Sequence, residues 1–314
     1  MISPIRSLCF NDDRQTFTIV LPSQYRVFRC EPFGMIFSRD CDDLSLGTVA
    51  TYNGYRFLAL TGSPSPPVFN SKCVKVFDHQ TGSVVFDHTF SDHILTMKLG
   101  DGVIICCFHC KIEIWNTITN KIIFGCDTGI NVHCPLAISP DSSTVVTSGA
   151  DSKKLNIISG IKAGTNSKSL PADTSAVSVV QFSSNGQLFA TSAFSGSNIR
   201  VWDNKDKNCI AILERKPQGD IVQTLDFSPD CGFLATCSKD GLVRIFDLRR
   251  KPKVVQKEMP PICTAELSSL SMPRVSWISP TTLSVISLEG GFFKLYFNGS
   301  SLDVETTSFF KRSE

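Results

Sequence analysis

Ile138–Asp141 followed by Val145–Gly149, Phe182–Asn185 followed by Phe189–Ser192, and Phe227–Asp230 followed by Leu234–Ser238 are three copies of one pattern, about 44 to 45 residues apart. Each copy reads as an apolar strand, a tight turn at Pro-Asp or Asn-Gly, and a second apolar strand ending in Ser. A Gly-containing turn and a strand closing on an aromatic residue plus Asp complete it. Helical periodicity is absent almost everywhere. A unit of this kind is a small sheet that cannot bury its faces alone, so successive units must stack.

Weaker copies extend the series through Ser7–Asp12, Phe57–Gly62 with Val74–Asp78, Lys111–Asn116 and Phe292–Phe297. Seven units are expected, which makes the chain an all-β, seven-bladed β-propeller of WD-repeat type over residues 1–314, a single domain. The last unit supplies four strands of its own, near 275 to 278, 283 to 288, 292 to 298 and 303 to 310, so closure by an N-terminal strand is not required. Two stacked sandwiches would explain the alternating strands but not the fixed interval.

Composition narrows the partners. The net charge of +2 gives no general affinity for polyanions or nucleic acid, so any anion must be held by locally placed Arg and Lys. Thirteen Cys, an odd number set in strand-like runs such as Val103–Phe108, suit buried thiols in a reducing, cytosolic setting better than a disulfide framework. Met1–Arg6 is not a charged region followed by an apolar stretch, and no run approaches the length that spans a bilayer. Cys107–Cys110 has knuckle spacing but no second pair, and the five His are dispersed with no nucleophile motif beside them. No metal, no cofactor and no catalysis are expected.

The run Phe57–Gly62, the Pro-rich loop Pro64–Phe69, then Cys73–Asp78 and Phe90–Lys98 resemble the second-to-third blade passage of the PROPPINs, the phosphoinositide-binding propellers of autophagy that include the WIPI proteins. Ser276–Pro280 and Glu289–Asn298 are similar to their seventh blade. The resemblance implies a monomeric peripheral membrane protein that recognises phosphatidylinositol 3-phosphate, with the 3,5-bisphosphate as a second candidate. It implies a cytoplasmic protein recruited to autophagic, endosomal or vacuolar membranes, with autophagy proteins docking on the rim of blades two and three, where Pro64–Phe69 would lie.

The family's hallmark is a Phe/Leu-Arg-Arg-Gly tetrad ending the outer strand of blade five. Neighbouring side chains on a strand point to opposite sides, so two successive Arg serve two pockets. Here the tetrad falls on Leu213-Glu214-Arg215-Lys216, and the first Arg has become Glu. One pocket is therefore expected rather than two, unless a one-residue slip presents Arg215 and Lys216 as the pair. By the same resemblance Ser192, Ser197 and Arg200 of blade five and Ser238, Lys239 and Arg244 of blade six would complete the head-group sites. Glu214 keeps open the alternative of a protein-interaction scaffold that has lost lipid binding.

Residues 248–265 form a long basic and apolar connection in blade six, ahead of an outer strand expected near Glu266–Met272. Arg249, Arg250, Lys251, Lys253, Val254, Val255 and Met259 are its candidate membrane contacts. Basic charge and apolar insertion together can anchor a protein where neither does alone.

Overall fold

The structure, a computed structural model, describes residues 4–41, 45–64, 69–130, 133–173, 175–195, 198–215, 221–250, 258–267 and 270–309. Seven sheets follow one another along the chain, in blades spanning Ser7–Asp40, Leu46–Thr89, Thr96–Asp127, Leu136–Pro171, Val177–Glu214, Val222–Glu266 and Arg274–Phe309. Each blade is built on four antiparallel strands, with a fifth, parallel strand added to blade five, so the seven-bladed propeller read from the repeat is borne out. Blade seven is built from its own four strands. The ring closes instead by packing: Phe17 of blade one stacks on Phe292 of blade seven at 5.8 Å, inside a cluster that also holds Leu8, Ile19 and Ile286.

Local chemistry explains the repeated unit. After the inner strands of blades four, five and six, the backbone N–H of Thr144, Leu188 and Phe233 donates to the hydroxyl of Ser139, Ser183 and Ser228, at 2.9 Å each time. Those hydroxyls donate in turn to Asp141, Asn185 and Asp230. The chain then passes through the left-handed region at Ser142, Gly186 and Cys231. The side chains thus satisfy the turn that reverses the strand.

These turn carboxylates make stability depend on pH with a definite sign. Asp230 is held below the ordinary 3.8 chiefly by the Ser228 hydroxyl, and Asp247 chiefly by the Arg249 guanidinium. A depressed folded pKa contributes stability that is present above the unfolded value and lost as pH falls through the folded one. Asp226, pushed up by burial, works in the opposite direction. Melting temperature is expected to fall as pH drops below 3.8, and less steeply in Asp247→Asn; equal slopes in calorimetry would contradict the assignment.

Blade six departs from the expected layout. Its outer strand is Cys263–Glu266, earlier than the Glu266–Met272 expected, because Val243 pairs with Ala265 and the apolar Ala265 and Leu267 turn inward. Within the preceding connection, Glu258–Met259 forms a short strand parallel to the outer strand of blade five, pairing with Ile212 and Leu213. None of the thirteen cysteines is joined in a disulfide. No helix of the described residues is long and apolar enough to cross a membrane, and no group of three or more His, Cys, Asp or Glu among them is placed to hold a metal ion.

Candidate anion site at the seam of blades five and six

Strand register decides which side each tetrad residue faces. The outer strand Cys209–Glu214 pairs with Asn198–Asp203, with Ile199 opposite Leu213 and Asn198 opposite Glu214. A bulge lies near Trp202, but the pairing at the tetrad end is regular. Leu213 and Ile199 belong to the apolar cluster shared with Val222, Leu225 and Phe246 of blade six. The two-residue period therefore sends Leu213 and Arg215 toward blade six, and Glu214 toward blade four. The slipped register is not adopted.

Toward blade six the polar side chains converge. Ser192 shares a strand side with Ala190, Thr236 and Ser238 share one with Leu234, and Arg244 shares one with Phe246, all apolar members of that same cluster. Arg215 is 3% exposed and Arg244 1%. The Arg244 guanidinium donates to the Ser238 hydroxyl at 3.2 Å. Burial pulls the Arg215 pKa down first, and the charge of Arg244 pulls it further, while Asp240 offsets part of this. Arg244 is lowered by burial and raised back by Asp240 and Cys237. Both groups remain cations at any pH a protein meets.

Three buried polar atoms on these facing strands have no hydrogen-bond partner among the described residues: Ser192 Oγ, Thr236 Oγ1 and Arg244 Nε. Buried polar groups are nearly always satisfied, so orphans gathered beside two guanidiniums mark a place built for a group with several acceptors. Thr236 was not among the residues singled out from the sequence. Its signal is the two-residue spacing from Ser238 on the same strand.

The blade-four side is the reverse. Arg200 is bonded to Asp173, so its guanidinium is already engaged by an acid. Glu258, delivered by the extra parallel strand, accepts from the Asn198 side-chain amide at 2.9 Å. Glu214, directly across from Asn198, lies on that side as well. Among the described residues, three carboxylates stand on that side against one guanidinium, a balance that opposes a phosphate. Asp173 and Glu258 escaped the sequence reading because neither belongs to blade five.

Other expected positions are dispersed. Lys239 is exposed at the turn after Ser238. Met259 is half-buried and packs against the blade-five and blade-six cluster through its pairing with Leu213. Arg249 and Arg250 are exposed, and both bond to Asp247. Ser197, Lys216, Lys251, Lys253, Val254 and Val255 lie outside the described residues, as does 65–68 of the Pro-rich loop. At the foot of that loop Gly62 admits the Phe69 carbonyl, which would stand 1.9 Å from an added Cβ.

The family model described as "WD domain, G-beta repeat" matches residues 164–203 and 207–247. Each match takes the outer strand of one blade and three strands of the next. Among curated relatives, SVP1-like protein 2 of Schizosaccharomyces pombe is 22% identical over 82% of this chain and 71% of its own length. Autophagy-related protein 21 of Pichia angusta is 21% identical over 78% of this chain and 65% of its own length, and the chain spans only half the length of another relative, autophagy-related protein 18 of Scheffersomyces stipitis. Hsv2 of Kluyveromyces lactis superposes with a TM-score of 0.83 at 16% identity, covering 98% of this chain and 99% of that one. A structure titled as KlAtg21 in complex with the coiled coil of AgAtg16 superposes at 0.79, also at 16% identity, with the same coverage. The resemblance read from the sequence is thus borne out: this is a seven-bladed propeller with WD-repeat matches in two segments, similar over most of its length to the autophagy proteins named Atg21 and SVP1-like, with the fold of Hsv2, and its likeness is to the PROPPIN group.

Proposed function

We propose that the chain is a non-enzymatic reader of phosphoinositide-bearing membranes with one head-group site, at the seam of blades five and six, acting as an adaptor in autophagy. The observation that carries this reading is the buried cluster of Arg215, Arg244, Ser192, Thr236 and Ser238, two cations with unsatisfied polar atoms around them. Phosphatidylinositol 3-phosphate is the primary candidate, with the 3,5-bisphosphate second. Lys216, Ser197 and Lys239 would assist from neighbouring turns, and the basic blade-six loop would add attraction to an anionic leaflet. The protein would work at cytosolic faces of autophagic, endosomal or vacuolar membranes and take autophagy proteins on the rim of blades two and three, as a relative is titled to take a coiled coil.

Vesicle flotation tests this. The protein is expected to float with vesicles containing phosphatidylinositol 3-phosphate and not with vesicles of unphosphorylated phosphatidylinositol. Glu214→Arg changes the local charge by two, and each basic charge near an anionic surface is worth about 1 kcal/mol, so vesicle affinity is expected to rise by about tenfold or more. A protein that floats with neither phosphorylated lipid sinks the reading.

The scaffold alternative is favoured by one observation, the acid-lined blade-four side with Glu214, Glu258 and Asp173. It removes one pocket but leaves the blade-six side untouched. The single-site reader is therefore the stronger reading.

A further inference from the structure

The inner strands of the seven blades surround a central channel with charged residues that the lipid reading does not use. At the end where those strands begin, the channel opens into a cavity of about 680 Å³ lined by Arg6, Lys98 and Arg274 and, among the described residues, by no Asp or Glu. Gln181, Gln223 and Thr224 add hydrogen-bonding groups to the same wall. A second cavity, about 370 Å³, occupies the opposite end, and Lys98 and Arg274 line both. The two cations therefore stand at the waist of the channel.

Carboxylates do occur toward the second mouth, but each has its own partners. Asp226 accepts from Arg14 at 3.2 Å, from the Ser276 hydroxyl at 3.1 Å and from the Trp277 backbone N–H at 2.9 Å. Asp12 accepts from the backbone N–H groups of Asn53 and Gly54. Lys98 makes no ion pair among the described residues. The Arg274 guanidinium donates to the Pro273 carbonyl at 3.2 Å and to no acid among them. The Cys9 thiol beside them is pushed up by burial and is not a counter-ion.

Two neighbouring cations withdrawn from bulk water are costly unless an anion accompanies them. A cavity of this size falls in the range that holds a small molecule. We propose that the central channel binds a small soluble anion carrying two or more phosphate groups, held between Lys98 on blade three and Arg274 on blade seven with Arg6 at the mouth. The site is separate from the rim seam and does not depend on the lipid reading. Inner-strand polar groups from several blades then bind one ligand, which ties the ring together across its axis.

Calorimetric titration with pyrophosphate, alongside inorganic phosphate, tests it. Pyrophosphate is expected to bind and to raise the melting temperature, because a ligand that binds only the folded state stabilises it. Lys98→Met and Arg274→Met are each expected to weaken binding by about tenfold or more, the loss of a charge-assisted contact. Arg215→Ala is expected to leave it unchanged. Lys98→Gln, which keeps a polar tip, gives the same reading should the Met variant fold poorly. Pyrophosphate that saturates the channel is expected to leave the protein on phosphoinositide vesicles. Absence of binding, equal affinity in the Lys98 variants, or loss of binding in Arg215→Ala together with displacement from vesicles would each overturn the proposal.

Discussion

Arg215→Ala is expected to lower affinity for vesicles bearing phosphatidylinositol 3-phosphate by about tenfold to a hundredfold. A hydrogen bond to a charged group contributes roughly 1.5–3 kcal/mol, and each 1.4 kcal/mol is tenfold in binding. Arg215 is nearly buried, faces Arg244 across the seam and shares it with Ser192 and Ser238, so its charge acts in poor solvent rather than in bulk water. Arg215→Lys is expected to recover only part of the loss, because an ammonium lacks the planar fork that grips two phosphate oxygens at once. Arg200→Ala is the control: its guanidinium is already bonded to Asp173 on the other side of the strand, and its removal is expected to leave vesicle binding essentially intact. Equilibrium flotation across a lipid series reads all three. Equal losses in Arg200→Ala and Arg215→Ala would place the lipid on the wrong side of blade five.

Trp277→Ala is expected to destabilise the fold by about 3–5 kcal/mol, the range for deleting a fully buried large aromatic. Trp277 has no exposed surface and lies within 5.6 Å of Phe297 and 6.2 Å of Phe233, joining blades six and seven. Its backbone N–H also donates to the buried Asp226. The indole Nε1, by contrast, has no hydrogen-bond partner among the described residues. Trp277→Phe discards that orphan donor while keeping most of the ring contact, so its cost is expected to be well below that of alanine. Chemical denaturation of the two variants distinguishes these effects. Equal destabilisation would show that the ring contacts with Phe233 and Phe297 do not carry the stability.

Much of the architecture was legible because it rests on short-range rules. Ser228-Pro229-Asp230 and its two counterparts build the same turn from neighbouring residues, so their recurrence counts the blades directly. Alternation along Cys209–Glu214 likewise separates Glu214 from Arg215 without reference to the rest of the chain. The blade-six outer strand was expected too late because Leu267 and Leu270 carry the apolar pattern past its end, and only the pairing of Val243 with Ala265 fixes its bounds.

Amino-acid order alone determined the repeat, its turns and that Glu214 and Arg215 point to opposite sides of the strand, since all follow from backbone geometry over a few residues. Only the tertiary structure decided what each side meets. Glu258 reaches blade five through a parallel pairing made by the returning blade-six connection, and Asp173 arrives from the edge of blade four to engage Arg200. Lys98 and Arg274 come together only because seven sheets close into a ring and point their inner strands at one axis. Charges act through space, and their neighbours in space are set by closure of the ring rather than by adjacency along the chain.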